Sequence, residues 1–99
     1  MKKTKSMIYT PSTEARELTL YTENNALVYQ RSILPVLNSL KKHIKRGVYD
    51  REKAIIAFYH VATDGSREYA RDFGYSFSVR DRYTAAVDLL EFFSDELTD

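Results

Sequence analysis

The chain contains no cysteine and no tryptophan, only three glycines and two prolines, and no long apolar run. Each absence excludes something. Without cysteine there is no disulfide, no thiolate metal site and no cysteine nucleophile. A small domain that does without disulfides fits a reducing compartment, so a cytoplasmic location is expected. The scarcity of glycine and proline leaves few forced turns, which favours helices over a many-turned β fold. No apolar stretch approaches the roughly 18 residues that a membrane span requires. The basic N-terminus lacks the apolar segment of a signal peptide, and no membrane partner is expected.

What is present is the composition of a folded domain. The 99 residues suffice for one modest core and not for two. With 43% hydrophobic residues the chain has the apolar material to fold rather than stay disordered. Eight Tyr and five Phe make aromatics the main core builders, with many Tyr hydroxyls reaching the surface or a partner. The net charge of +1 argues neither for nor against nucleic acid, but the charge is unevenly spread. Residues 1–11 hold three Lys and no acid, and residues 41–53 hold six basic and two acidic residues. Residues 83–99 hold Asp88, Glu91, Asp95, Glu96 and Asp99 and no base.

Local signals divide the chain. Residues 1–11 form a flexible basic arm, and residues 12–99 a single helical domain. Ser12 or Thr13 can cap a short first helix, with Glu14 and Glu17 at its positive end. Its Leu18-Thr19-Leu20-Tyr21-Thr22 run also reads as a strand. Asn24 or Asn25 caps a second helix, whose apolar residues Leu27, Ile33, Leu34, Leu37, Leu40 and Ile44 share one face. Pro35 interrupts it, which predicts a kink near residues 30–34 or a fresh start capped by Ser32. The helix runs to Arg46, and Gly47 is placed as its left-handed cap, with Val48 folding back.

Asp50 caps a third helix with the stripe Ile55, Phe58, Ala62, Tyr69 and Phe73. Residues 63–66 have turn chemistry. Continuity is favoured, because Ala62, Gly65, Ser66 and Tyr69 then make a groove of mostly small residues for a neighbouring helix. Gly74 ends the helix, and Ser78 caps the last one. Val79, Tyr83, Ala86, Leu90, Phe93 and Leu97 there follow helical steps of three and four, widened by Leu89 and Phe92. The expected architecture is all-α: a three-helix up-down-up bundle with a short extra N-terminal helix or arm. In that order the basic and acidic helices run parallel and can touch.

The strongest functional candidate is the basic turn. Lys41, Lys42, Lys45 and Arg46 fall within about 140° on a helical wheel, one coherent face. Arg51 and Tyr49 lie just beyond. The bland reading is a solvated helix end suited to the dipole, or a salt-bridge partner of the acidic helix. The functional reading is a binding surface for phosphate or for a protein. A helix-turn-helix is disfavoured, because no short recognition helix rich in base-reading side chains follows. Arg67, Arg71, Arg80 and Arg82 form a second basic set, which Asp72, Asp81 or Glu68 would neutralise. Tyr29, Tyr49 and Tyr59 fall off the main stripes and suit a protein-binding surface.

Nothing in the sequence assembles a catalytic set. His43 and His60 stand alone, without metal-ligand spacing. Asp64-Gly65-Ser66 has no nearby His and no nucleophile elbow. No phosphate-cradling glycine loop is present. Neither enzymatic activity nor any cofactor or metal is expected.

Leu40-Lys41-Lys42, Lys45-Arg46-Gly47-Val48-Tyr49-Asp50, Lys53-Ala54, Phe58, Tyr69, Phe73 and Phe77-Ser78-Val79-x-x-Arg82 resemble a class of short bacterial proteins. Those proteins are found in phage or mobile-element regions. The resemblance spans about two thirds of the chain. Arg46 stands where that pattern has Lys, and Gly65-Ser66 where it has small, Ala-like residues. The resemblance implies a helical fold and a mobile-element context, and transfers no activity. The expected function is a small protein-interaction module that binds a host or phage protein. Nucleic acid is the alternative partner, and self-association through the basic and acidic faces is a further expectation.

Overall fold

The computed structural model describes residues 13–97. The expected arm at residues 1–11, a cap at Ser12 and the acidic Asp99 lie outside them. Every element among the described residues is helical, so the all-α class holds. The elements are α1 (Thr13–Asn24), α2 (Ala26–Val28), a π-helical turn (Tyr29–Ile33), α3 (Leu34–Lys45), α4 (Arg51–Phe73), α5 (Val79–Phe92) and α6 (Ser94–Leu97). The Leu18–Thr22 run is helix, not strand.

Caps were the most readable features, because each is a local hydrogen bond. Asn25 accepts from the Val28 amide at 3.0 Å, Asp50 from Glu52 at 2.9 Å and Ser78 from Asp81 at 3.0 Å. Gly47 adopts φ +76°, and two bonds then close the end of α3. The Gly47 amide donates to Ile44 O at 3.0 Å and the Val48 amide to His43 O at 2.9 Å, the paired pattern of a glycine-capped terminus. The Val48 amide thus turns back to α3, while its side chain remains largely exposed.

Pro35 disturbs the helix in the expected stretch, but the chain does not restart at Ser32. It widens into the π turn, in which the Leu34 amide donates to Tyr29 O, five residues back. Proline has no amide to give and its ring crowds the preceding turn, so a wider turn ahead of it relieves both problems. The extra residue shifts the helical phase. Val28, Ile33, Leu37 and Leu40 are buried, whereas Leu27, Leu34 and Ile44 are exposed.

Helix α4 runs unbroken through Gly65, as the small-residue groove required. The helix occupying that groove is α1. A Cβ on Gly65 would lie 3.0 Å from both Cβ and Cγ2 of Thr22 and closer still to its hydroxyl. Helix α1 is therefore an integral part of the core. Its Ala15, Leu18 and Thr22 are fully buried, and it packs closely on both α4 and α5. The most extensive packing joins α4 to α5, then α1 to each of them. Helix α3 touches α4 and α6 but makes no backbone approach to α5. The body measures 39 × 35 × 20 Å, about two helix diameters thick.

The last helix also departs from its stripe. It breaks at Phe93, and α6 starts at Ser94, whose hydroxyl donates to Glu91 O at 2.8 Å. Ala85, Ala86, Leu89, Leu90, Phe93 and Leu97 are buried, but Val79 and Tyr83 are 63% and 52% exposed. The inward position of the first turn belongs to Arg82. Its Nη1 donates to Phe77 O at 2.7 Å and its Nη2 to the Tyr59 hydroxyl at 3.1 Å. An arginine thus holds a core-facing place that the apolar pattern could not reveal. Phe73 is likewise on the surface rather than in the core.

Candidate protein-docking face

The end of α3, the turn after it and the α5–α6 corner enclose a shallow groove. Lys41 and Lys45, one helical turn apart, border a cleft of about 550 Å³. Ile44 and Leu97 form its floor and Glu96 its far wall. A second cleft of about 750 Å³ adjoins it, bordered on the near side by Ile44, Gly47, Tyr49 and Arg51. Leu90, Glu91, Ser94 and Leu97 border the other side. Ile44 and Leu97 belong to both clefts, so the two are halves of one groove with an apolar floor.

Four of the six residues expected at a binding surface meet here: Lys41, Lys45, Tyr49 and Arg51. Lys42 and Arg46 are exposed on the same helix end but border neither cleft. All cations of the groove stand on the α3–turn–α4 side, and both carboxylates, Glu91 and Glu96, on the α5–α6 side. Arg51 Nη2 lies 3.6 Å from Glu91 Oε2, across the groove. Both side chains are largely exposed, so this pair contributes little to stability. Among the described residues no ion pair reaches Lys41, Lys42, Lys45 or Arg46. The salt-bridge reading of those four with the acidic helix is therefore not realised.

The sequence missed Leu97 as a groove floor and Glu91 and Glu96 as its wall. Leu97 read as core and the two acids as solvated. The approach of α6 to α3 gives this role to Leu97 and Glu96, and the packing of α5 on α4 gives it to Glu91. Of the three off-stripe tyrosines, Tyr49 alone is exposed. Tyr29 is half-buried near Phe93, and Tyr59 is half-buried beneath the Arg82 guanidinium, 5.7 Å from its ring centre.

Several other polar side chains are paired within the molecule. Arg31 binds Asp64 through Nε at 3.0 Å and Nη2 at 2.6 Å, and Glu68 through Nη2 at 2.9 Å. Ser32 donates a short hydrogen bond to Asp64. Burial would raise the Asp64 carboxyl, but the bonds from Arg31 and Ser32 and the charges of Arg31 and Arg67 outweigh it and hold it low. Asp72 accepts from the Tyr21 phenol at 2.7 Å. Burial first, and then that carboxylate, push Tyr21 up to about 12. Glu68 thus serves both Arg31 and, at 3.7 Å, Arg71 of the second basic set, as expected, and Asp72 serves Tyr21, while Arg82 is held by a carbonyl and a phenol rather than by an acid.

Among the described residues no group of three or more His, Asp or Glu is placed to hold a metal ion. No helix among them is long and apolar enough to cross a membrane. Compared with protein-family profiles, curated proteins and solved structures, the chain matches none.

Proposed function

We propose that this chain is a small non-enzymatic protein-interaction module and that the groove over Ile44 and Leu97 is its docking face. The observation that carries the reading is the pairing of an apolar floor with two lysines, Lys41 and Lys45, that no ion pair engages among the described residues. An apolar centre supplies burial and a charged rim supplies register and partner choice. Tyr49 at the edge is of the residue type that most often anchors such contacts. With the mobile-element context that the sequence resemblance implies, the module serves as an accessory protein that binds a host or phage protein in the cytoplasm, without a cofactor.

The test is affinity capture from the native host with the wild-type chain and with Tyr49→Ala and Lys41→Glu/Lys45→Glu. The reading requires an identified protein that the wild type retains and both variants lose. A partner retained equally by all three would sink it.

Nucleic-acid binding is the second reading, favoured by the four cations at the end of α3 that no ion pair neutralises among the described residues. It requires affinity that falls steeply with salt, through release of counterions. Absence of any retardation of DNA and RNA at low salt would remove it.

A further inference from the structure

The groove has a property that an arbitrary acidic partner would not match. One wall is basic, with Lys41, Lys45 and Arg51, and the opposite wall is acidic, with Glu91 and Glu96. A uniformly acidic segment would satisfy the first wall and be repelled by the second. A uniformly basic one would meet the converse. The surface that complements both walls at once is the same surface turned over.

Resting on the reading of this groove as a docking face, we propose that its occupant is a second copy of this chain, joined in an isologous dimer. A two-fold axis lying along the groove floor brings Lys41 and Lys45 of one protomer against the acidic α5–α6 wall of its partner. The same operation makes the contact a second time, in the opposite sense. The apolar grooves over Ile44 and Leu97 of the two copies face each other across the axis. In the single chain Ile44 is 36% exposed and Tyr49, which borders the same cleft, is 38% exposed, so the contact has apolar area to bury. The net charge of +1 leaves almost no long-range repulsion between copies. The complementarity is therefore local, between walls, rather than global.

Charge reversal tests the geometry directly. Lys41→Glu/Lys45→Glu gives two acidic walls, and Glu91→Lys/Glu96→Lys gives two basic walls. All four side chains are exposed, so circular dichroism should be unchanged. In sedimentation velocity over a concentration series, the wild type is expected to dimerise, with the dissociation constant rising as salt is added. Each variant alone should dissociate at a concentration on the order of tenfold higher or more. Mixed in equal amounts, the two variants should form a heterodimer, because acidic walls then face basic ones. A wild type that stays monomeric at low salt, or a mixture no more associated than its components, would overturn the proposal. A monomeric wild type would leave the docking reading standing, since loss of a captured host protein on the same substitutions is read independently. A dimer indifferent to both reversals would place self-association elsewhere on the molecule.

Discussion

Arg31 and Asp64 form a two-pronged ion pair between the π turn and the middle of α4, with Nε to Oδ2 at 3.0 Å and Nη2 to Oδ1 at 2.6 Å. The same π turn brings the neighbouring Ser32 onto Asp64, and Glu68 one turn along α4 shares the guanidinium. Asp64 is thus the acceptor for two successive residues of a segment that Pro35 forces out of regular α geometry. Asp64→Ala should remove this anchorage and leave Glu68, which is 7% exposed, as the remaining partner of Arg31. The melting temperature should fall by roughly 5 °C, with a smaller fall for Asp64→Asn, which keeps one acceptor oxygen. Thermal unfolding followed by circular dichroism checks this, and an unchanged midpoint in Asp64→Ala would mean the pair is only superficial.

Acid should first strengthen and then weaken the fold. Burial raises the carboxyls of Glu23 and Asp88, with Arg16 on α1 opposing the rise for both and Glu91 adding to it for Asp88. The folded state therefore takes up these protons before the unfolded chain does. Stability should rise as pH drops from neutral through their raised values. Asp64 behaves oppositely. Its folded-state pKa lies below the ordinary 3.8, so its contribution is present above that value and lost as pH falls through the lowered one. The melting midpoint is expected to rise as pH is lowered from 7 towards the ordinary carboxylate range, and to fall again once pH drops below 3.8 and Asp64 takes up its proton. Asp88→Asn should flatten the rise, and a midpoint that declines steadily from pH 7 downwards would contradict the account.

Gly65 and Gly47 are required for different reasons. At Gly47 a Cβ would meet nothing within 4 Å, so Gly47→Ala strains only the positive-φ backbone, at a cost of about 1–2 kcal/mol. At Gly65 the helix itself would welcome alanine, by about 1 kcal/mol. The Cβ would, however, collide with Thr22 across the α1–α4 contact, where overpacking costs about 1–3 kcal/mol and sometimes more. The collision should win, because Thr22 is fully buried and has no room to retreat. Adding Thr22→Ala should recover part of the loss in Gly65→Ala and nothing in Gly47→Ala, a non-additivity that denaturant titration of the double mutants resolves.

The same residues show where sequence reasoning reaches and where it stops. Gly47, Asp50, Gly74 and Ser78 were legible because each acts on its own few neighbours in the chain. The continuity of α4 was legible from its period, and the need for a close neighbour at Gly65 from residue size, though not which helix it would be. The phase of the second helical segment was lost at the π turn, since one inserted residue moves Val28 inward and Leu27 outward. Val79 and Tyr83 were misplaced because the true inward position of that turn carries Arg82, whose hydrogen bonds are invisible in a hydropathy pattern. At the groove, the basic wall was readable as a cluster of charge. Its floor and acidic wall depend on α6 meeting α3 and α5 meeting α4, between residues forty or more positions apart.

Lys41 and Lys42 separate the two functional readings. Both are exposed and neither is engaged by an ion pair among the described residues, so Lys41→Ala and Lys42→Ala should each change stability by less than about 0.5 kcal/mol. Lys41 borders the groove with Lys45, and Lys42 does not. A protein seated over Ile44 and Leu97 would feel the loss of Lys41 or Lys45 and be nearly indifferent to Lys42 or Arg46. A phosphate backbone follows charge alone, so all four single substitutions should weaken it alike and reduce the salt slope by similar amounts. Binding measured for the four alanine variants in parallel decides between them. A deficit confined to Lys41 and Lys45 means the groove is the contact, and an even deficit across the four means the whole helix end is.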